Sequence, residues 1–260
     1  MGYFIPVEPG VRVFVQDLLP TGNRTILFIH GWPLSHLQFE YQYDVLPSYG
    51  VRCIGMDWRG FGNSDKPYLG YSLDRLADDI RVVIDTMQLR NITLAGHSAG
   101  GALIVRYMAR HQGHGVSKLV MIDAQSPGSV PGSAANAFIS QTLSDRPALL
   151  VGLANQFFFR HITEPFANWF FQVGLRASGW ATAAVMVTLR DQNVQNDLGA
   201  IRVPTLIAHG IHDQVVPFAN AEETHRLIEG SVLVPFQYSG HVPFLDERER
   251  FNQVLLQFIG

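Results

Sequence analysis

The sequence contains very little lysine, because only Lys66 and Lys118 occur among its 260 residues. Its formal net charge is −3, and its basic residues form no cluster along the chain. Proteins that bind a nucleic-acid backbone neutralise several phosphates with Lys and Arg side chains gathered on one face. We therefore expect no nucleic-acid partner.

Cysteine is equally scarce, and the one cysteine, Cys53, lies in an apolar run. A single cysteine cannot form an internal disulfide, and a buried thiol in such a run is expected to be inert. The first residues show no cationic segment followed by an apolar one, so no signal peptide is predicted. No apolar run approaches the ~18 residues that cross a membrane. These absences together predict a cytoplasmic protein without a membrane partner.

What the sequence does contain is a regular alternation of strand-like and helix-like segments. Apolar residues make up 47% of the chain, which is ample for a large core. Short apolar runs alternate with segments in which apolar residues recur at helical spacing. This alternation predicts an α/β fold with a mostly parallel sheet and right-handed crossovers. The predicted strands cover 3–7, 11–18, 25–29, 51–56, 91–95, 116–122, 203–209 and 231–236, and the predicted helices cover 37–49, 73–87, 102–110, 219–229 and 248–258.

The alternation stops between residues 125 and 199, where no strand pattern is found. This segment has no lysine, no tyrosine and as many acidic as basic residues, and aromatic runs occupy 157–159 and 169–171. A helical insertion between two halves of an α/β sheet is expected to cover the carboxyl ends of the strands, where ligands bind. We predict core parts at 1–124 and 200–260 and a helical lid at 125–199. The helical patterns of the lid cover 134–144, 147–159, 165–173 and 180–190.

The segment Gly96-His97-Ser98-Ala99-Gly100 joins a predicted strand directly to a predicted helix. In such a G-x-S-x-G arrangement a sharp turn lifts the serine hydroxyl above the sheet. Glycine is needed at both ends because a Cβ there would meet the neighbouring strand or helix. The free amides at the start of the following helix would stabilise an anion beside Ser98. Taken alone, the motif is equally compatible with a glycine-rich turn that has no catalytic role.

Two further residues are candidates for activating Ser98. A serine hydroxyl needs a base, and the base needs a partner that fixes its tautomer. His241 follows the last predicted strand and is the candidate base, while Asp213 follows the preceding strand and is the candidate acid. The chain order Ser, Asp, His, with each residue after a strand, matches the order found in G-x-S-x-G hydrolases. Asp123 also ends a predicted strand and remains an alternative acid.

A loop after another buried strand contains a candidate hydrogen-bond donor for an oxyanion formed beside Ser98. The tetrahedral intermediate of acyl transfer needs two preset hydrogen-bond donors for its oxyanion. In His30-Gly31-Trp32-Pro33 the backbone N–H of Trp32 is one candidate, because Pro33 has no N–H to donate. The N–H of Ala99, which follows the serine, is the other candidate.

These motifs resemble those of the α/β-hydrolase superfamily. More narrowly, they resemble its carboxylesterases related to the cofactor-free haloperoxidases and perhydrolases. The resemblance covers the core at both ends of the chain and is weak over the predicted lid. It rests on His30-Gly31-Trp32-Pro33, Asp57-x-Arg59-Gly60-x-Gly62-x-Ser64, Gly96-x-Ser98-x-Gly100-Gly101, His209-Gly210-x-x-Asp213 and Gly240-His241.

The resemblance implies an α/β-hydrolase fold with a mostly parallel central sheet, helices on both faces and an inserted helical lid. It implies Ser98 as the nucleophile, Asp213 as the acid and His241 as the base. It also implies a reaction that needs no metal and no organic cofactor. The implied oxyanion donors are Trp32 and Ala99, and the implied pocket residues are Trp32, Val215 and Val216.

One departure from the family pattern concerns the two residues beside the serine. Haloperoxidase-like members usually have Phe and Met at the positions of His97 and Ala99, and this difference favours ester hydrolysis over oxidative side activity. His30 and His97 are interpreted as hydrogen-bonded structural residues rather than catalysts. The turn residues Asp57, Arg59 and Asp65 are expected to share one buried network.

The sequence therefore predicts a serine carboxylesterase that acts through an acyl-enzyme on Ser98. The aromatic-rich lid, whose few charges cancel, favours short- to medium-chain acyl or aryl esters, so the expected partner is a small-molecule ester. Three alternatives remain: a cofactor-free perhydrolase or haloperoxidase, a methyl esterase acting on an acyl-carrier substrate, and a slow hydrolase-type receptor. The balanced charges of the lid argue against the methyl esterase, because an acyl carrier would require a cationic face.

Overall fold

Eight strands form one sheet that is parallel except at one edge. The structure is a computed structural model and describes residues 1–260. The strands are β1 (Gly2–Glu8), β2 (Val11–Leu18), β3 (Arg24–Ile29), β4 (Val51–Met56), β5 (Ile92–His97), β6 (Val116–Ile122), β7 (Thr205–Gly210) and β8 (Val232–Phe236). Their order across the sheet is β1-β2-β4-β3-β5-β6-β7-β8. β2 pairs antiparallel with β1 and with β4, and all other neighbours are parallel, as the alternation predicts.

The central strands are covered on both faces, which explains their continuous apolar sequences. All six residues of β5 are buried. Gly96 of β5 lies beside Ile29 of β3, and His97 lies beside Ile122 of β6. The carboxyl ends of these strands therefore meet at one edge of the sheet, and the loops that leave this edge carry the candidate site residues.

Ten α-helices accompany the sheet. The longest, α2, begins after Ser72, whose hydroxyl accepts a hydrogen bond from the N–H of Arg75 and so caps the helix. The helices are α1 (Glu40–Tyr43), α2 (Leu73–Thr86), α3 (Ala99–Arg110), α4 (Gly132–Ser144), α5 (Arg146–Phe157), α6 (Glu164–Leu175), α7 (Gly179–Asp191), α8 (Phe218–Leu227), α9 (Pro243–Asp246) and α10 (Arg248–Ile259).

The prediction of one helix over 37–49 is wrong. The chain there forms a 3₁₀ turn at His36–Phe39, the short helix α1, and a second 3₁₀ turn at Leu46–Tyr49. Pro47 lies at the start of the second turn. A proline has no backbone N–H to donate, and its ring disfavours a helical conformation in the preceding residue. The apolar spacing therefore identifies a helical segment, but the proline divides it.

Between β6 and β7 the chain contains helices only. Helices α4 to α7 span this segment, and a 3₁₀ turn at Gln195–Ala200 leads into β7. The segment is hydrogen-bonded to the core: the N–H of Ser178 donates to the carbonyl of Gly60 at 2.9 Å, and Trp32 Nε1 donates to the carbonyl of Thr182 at 2.8 Å. The boundaries at 125 and 199, and the role of the segment as a lid, remain predictions.

The prediction that Asp57, Arg59 and Asp65 share one buried network is wrong. Arg59 is buried, and its guanidinium binds the carboxylate of Asp79 at 2.6 and 2.8 Å. Asp65 is partly exposed and pairs with Arg12 instead, at 3.0 Å. The three side chains leave the turn in different directions, so each takes the partner available on its own side.

The thiol of Cys53 is buried within β4. Burial raises the pKa of this thiol to about 12, so it stays protonated at neutral pH. This state agrees with the inert role expected from the sequence. No helix in the structure combines the length and the apolar character required to cross a bilayer.

Candidate active site

Ser98 occupies the sharp turn between β5 and α3. Its backbone φ is 54° and ψ is −120°, a conformation that non-glycine residues rarely adopt. The flanking glycines are required by close backbone approaches. A Cβ on Gly96 would lie 2.4 Å from the carbonyl oxygen of Gly100, and a Cβ on Gly100 would lie 2.4 Å from that of His30. The turn thus presents the Ser98 side chain at the carboxyl edge of the sheet.

The structure brings Asp213 and His241 together. Nδ1 of His241 donates to Oδ2 of Asp213 at 2.7 Å, and both side chains are fully buried. Burial by itself would raise the pKa of Asp213, but its contacts with His241 and His209 outweigh that effect and hold the pKa well below its usual range. Asp213 is therefore ionised at neutral pH, and its contact fixes the tautomer of His241 with the proton on Nδ1.

The other ring nitrogen of His241 is free to act as a base. Nε2 is buried and makes no hydrogen bond with any protein atom, so it is not hydrogen-bonded to Ser98 in this structure. Ser98 nevertheless lies near the loop of the histidine, because Nε2 of the adjacent His97 donates to the carbonyl of His241 at 2.8 Å. Nucleophile–base hydrogen bonds are often long in proteins without substrate and shorten in the complex.

Asp123, the alternative acid, forms no hydrogen bond with His241, whose Nδ1 binds Asp213. Its Oδ1 accepts a hydrogen bond from the N–H of Gly210 at 2.8 Å, and its Oδ2 has no partner. Burial raises the pKa of Asp123 well above its usual range, which favours the neutral carboxylic acid. The geometry therefore favours Asp213 over Asp123 as the partner of His241.

Asp123, Asp213 and His241 are close enough to be compared with a metal site, because one potential ligand atom from each lies within 4.8 Å of the others. Asp213 and His241 already satisfy each other through their hydrogen bond. A neutral Asp123 is a poor ligand, because metals bind deprotonated carboxylates. The chemistry of these three residues thus fits a hydrogen-bonded acid–base pair better than a metal centre.

Two backbone N–H groups beside Ser98 are free to donate. Neither the N–H of Trp32 nor that of Ala99 donates a hydrogen bond within the protein. The neighbouring N–H of Gly31 is used by Oε1 of Gln38. The loop of Trp32 passes close over the nucleophile turn, since a Cβ on Gly31 would lie 3.2 Å from Cβ of Ser98. These two donors form a candidate oxyanion hole.

A cavity of about 540 Å³ opens beside Ser98. No charged side chain lines it, and the aromatic residues of the helical segment that reach it are Phe138 and Phe157. Val215 lines the cavity as expected from the family resemblance, but Val216 does not. Val216 is buried, and its backbone N–H and carbonyl bind Asp213 and His209, so its position serves the acid loop rather than the pocket.

Comparison with known proteins identifies the family to which this arrangement corresponds. The sequence profile of a family described as alpha/beta hydrolase fold matches residues 24–248. The chain belongs to this family. The predicted fold class and the resemblance are therefore confirmed, and the protein is a hydrolase.

Three similar proteins illustrate the relationship. The chain is 43% identical to "AB hydrolase superfamily protein YisY" of Bacillus subtilis (strain 168), with 99% of both chains covered. It is 32% identical to a protein of Rhodococcus erythropolis named "Non-heme haloperoxidase", with 98% of both covered. The solved structure of the esterase EaEST from Exiguobacterium antarcticum superposes with a TM-score of 0.96 at 38% identity, covering 100% of this chain and 99% of that one.

His30 gives this α/β-hydrolase a predictable response to acid. Its ring is buried and neutral, because Nδ1 donates to the carbonyl of Gly31 and Nε2 accepts the N–H of Trp58. Burial lowers the pKa of His30 to about 4. In the unfolded chain this histidine has an ordinary pKa of about 6.5. As the pH falls from ~6.5 to ~4, it is therefore protonated in the unfolded chain but stays neutral in the folded protein. We expect this residue to remove about 3 kcal/mol of stability over that range.

The measurement is urea unfolding at pH 7, 5.5 and 4.5 for the wild type and for His30→Gln. Glutamine supplies a donor and an acceptor but does not titrate, so the variant is expected to lose stability less steeply with falling pH. The slope is not expected to vanish, because burial also lowers the pKa of His97. If the free energy of unfolding falls equally steeply with pH in the two proteins, the account of His30 as a buried neutral histidine is contradicted.

Some residues of the site carry no role in the sequence interpretation. His209 lies 3.3 Å from Asp213, four residues earlier in the chain, and its place in the motif His209-Gly210-x-x-Asp213 is the only sequence signal for it. Gln125, Gln156 and Asn220 line the cavity and give it neutral polar groups, but nothing in their spacing distinguishes them from surface amides.

Proposed function

We propose that the protein is a serine carboxylesterase. The observation that carries the proposal is that Ser98, on its strained turn beside the free N–H groups of Trp32 and Ala99, directly follows His97, whose ring binds the carbonyl of His241 in the Asp213–His241 pair. These are the groups that acyl transfer through a serine requires: a nucleophile, an oriented base and preset oxyanion donors.

In the proposed mechanism, Nε2 of His241 removes the proton from Oγ of Ser98 as the oxygen attacks the ester carbonyl. The N–H groups of Trp32 and Ala99 bind the oxyanion that forms. His241 then gives its proton to the departing alcohol, which leaves an acyl group on Ser98. A water molecule, deprotonated by His241, attacks this acyl-enzyme and releases the acid. Asp213 stays ionised throughout and stabilises the imidazolium.

The cavity supports an uncharged substrate of modest size. Its volume of about 540 Å³ lies within the usual range for small-molecule sites. Its walls combine apolar and aromatic side chains with carboxamides, and they include no cation that could pair with an anionic substrate. We propose short- to medium-chain acyl esters and aryl esters as substrates.

We also propose that residues 125–199 act as the lid of this cavity. Helices α4, α5 and α7 all contribute to its lining, through Phe138, Leu153 and Met186 respectively. The opposite wall comes from the core, with Trp32 and Val215. Enclosure of the cavity by two parts of the chain would exclude bulk water, which strengthens the hydrogen bonds to the oxyanion, and would select acyl groups by shape.

The test is a panel of p-nitrophenyl esters from acetate to decanoate, together with p-nitrophenyl hydrogen succinate. We expect sustained turnover above ~1 s⁻¹ on the short esters and lower kcat/KM on the longest. The succinate, which ends in a carboxylate, is expected to react at least ~10-fold more slowly than butyrate, because burying an unpaired charge is unfavourable. Preference for the charged ester would contradict the substrate class, and a single slow turnover would support the receptor alternative.

A perhydrolase or haloperoxidase activity is the second candidate, favoured by the similarity to the Rhodococcus erythropolis haloperoxidase. In that reaction hydrogen peroxide, instead of water, attacks the acyl-enzyme and a peracid is released. The measurement is peracid formation from acetate and hydrogen peroxide. Peracid formed faster than p-nitrophenyl acetate is hydrolysed would make this the principal activity.

A further inference from the structure

The backbone around His241 is held by three hydrogen bonds from different parts of the fold. The N–H of His241 donates to the carbonyl of Phe157, the last residue of α5, at 2.7 Å. The carbonyl of His241 accepts from Nε2 of His97 at 2.8 Å. The preceding N–H, that of Gly240, donates to Oδ2 of Asp246 at 2.9 Å. The position of the base is thus set by the nucleophile strand, the helical segment and α9.

The carboxylate of Asp246 also binds the chain that leaves α5. Its Oδ2 accepts the N–H of Phe159 at 3.0 Å, and its Oδ1 accepts the N–H of Arg160 at 3.3 Å. The residue is only 6% exposed, and no side chain donates to it. A buried carboxylate whose three partners are backbone amides of two separate segments connects those segments.

The connection is close enough to require glycine. A Cβ on Gly240 would lie 2.5 Å from the carbonyl oxygen of Phe157 and 3.0 Å from the nitrogen of Phe159. The loop of the base and the exit of α5 are therefore packed backbone against backbone. Movement of one segment relative to the other would break the bonds that Asp246 makes to both.

The same segment of the helical region contacts substrate space. The ring of Phe157 lines the cavity, and its centroid lies 4.7 Å from that of the His241 ring in an edge-to-face arrangement. Phe157 therefore touches the base with its side chain and holds it with its backbone carbonyl. Phe157 therefore connects a wall of the cavity to the position of the base, His241.

We propose that Asp246 is a positioning residue that couples the exit of α5 to the loop of His241. By holding Gly240 and Phe159 on one oxygen, it fixes the distance between the helical segment and the base. A variant without this acceptor keeps every catalytic side chain, but the position of His241 Nε2 relative to Ser98 is no longer fixed. This inference rests on the proposed function, because it assigns to His241 the role of base.

The test compares Asp246→Ala and Asp246→Asn with Asp145→Ala. The asparagine oxygen can still accept from Gly240 and Phe159, whereas alanine accepts nothing. Asp145 caps the opposite end of α5 by accepting the N–H of Ala148, and it touches neither the cavity nor the base. For each variant kcat and KM on p-nitrophenyl acetate are measured at 20 °C, with active sites counted by burst titration, and Tm is recorded.

For Asp246→Ala we expect kcat per active site to fall about 10- to 100-fold, because small displacements of catalytic groups are costly. The change in KM is expected to be smaller. Asp246→Asn is expected to keep kcat within about three-fold of the wild type, and Asp145→Ala is expected to lower Tm through loss of the cap without changing kcat. If Asp246→Ala does not fold, Asp246→Ser replaces it, with a smaller fall in kcat because its hydroxyl accepts one bond.

Wild-type kcat in Asp246→Ala or Asp246→Ser would overturn the inference, and so would equal losses in the asparagine and alanine variants. Failure of the inference can be told apart from failure of the proposed function by Ser98→Ala. An inactive Ser98→Ala together with wild-type kcat in the Asp246 variants would remove only the coupling. Activity in Ser98→Ala would remove the proposed function itself.

Discussion

Ser98→Ala is expected to lower the rate of p-nitrophenyl acetate hydrolysis by at least about 10⁴-fold, since the acyl-enzyme can no longer form. The fold should survive the change. Ser98 has a positive φ in the folded protein, and alanine at this position meets the same backbone constraint as serine. Initial rates over a range of enzyme concentrations measure the effect, and Tm verifies folding.

A matched control for this variant is Ser117→Ala. Ser117 is a half-buried serine near the amino end of β6, at the edge of the sheet opposite to Ser98, and its hydroxyl binds the carbonyl of Ile92. It should retain wild-type kcat. A folded Ser98→Ala protein that hydrolyses the ester at the wild-type rate would show that the reaction does not pass through this serine.

Asp213→Asn is expected to reduce kcat by about 10³- to 10⁴-fold. The carboxylate of Asp213 accepts the Nδ1 proton of His241 and stabilises the imidazolium that forms during acyl transfer. An amide loses the charge, and its NH₂ group can turn the histidine into the wrong tautomer. Two N–H groups, from Val215 and Val216, already bind Oδ1, so the amide oxygen is held there and the NH₂ faces the ring.

Asp123→Asn provides the comparison, because Asp123 is the other buried carboxyl near the base. Burial favours its neutral form, so a neutral amide of the same shape changes neither the local charge nor the hydrogen bond from Gly210. We expect kcat to fall by less than about 10-fold. The opposite order of effects, with the larger loss in Asp123→Asn, would transfer the role of the acid to Asp123.

The parts of the fold that sequence predicts well are those governed by local chemistry. The strands β2, β4 and β6 match their predicted bounds because burial on both faces, or on alternate residues, leaves a direct periodic pattern. The turn at Ser98 is equally local, because only glycine fits beside it and the strand, turn and helix follow one another without a break. Asp213 and His241 can be predicted as partners because parallel strands bring the loops that follow them to one edge of the sheet.

What the sequence does not reveal depends on contacts between distant residues. The bond from His97 to His241 joins positions 144 residues apart, and no periodicity reports it. Phe157 lines the cavity, whereas Phe159 stacks on His212 outside it. Which of the two faces the cavity depends on how α5 docks against the core. Arg59 pairs with Glu8 and Asp79 rather than with Asp57 or Asp65, which are nearer in sequence, for the same reason.

The most direct test of the account is covalent labelling of the wild-type enzyme with a fluorophosphonate, followed by intact-mass and tryptic peptide analysis. The reagent phosphonylates a serine only where a base and oxyanion donors activate it. We expect one adduct per chain, on the peptide of residues 91–106 that contains Ser98, and no adduct in Ser98→Ala. An active enzyme that remains unlabelled, or that carries the adduct on another peptide, would contradict the account.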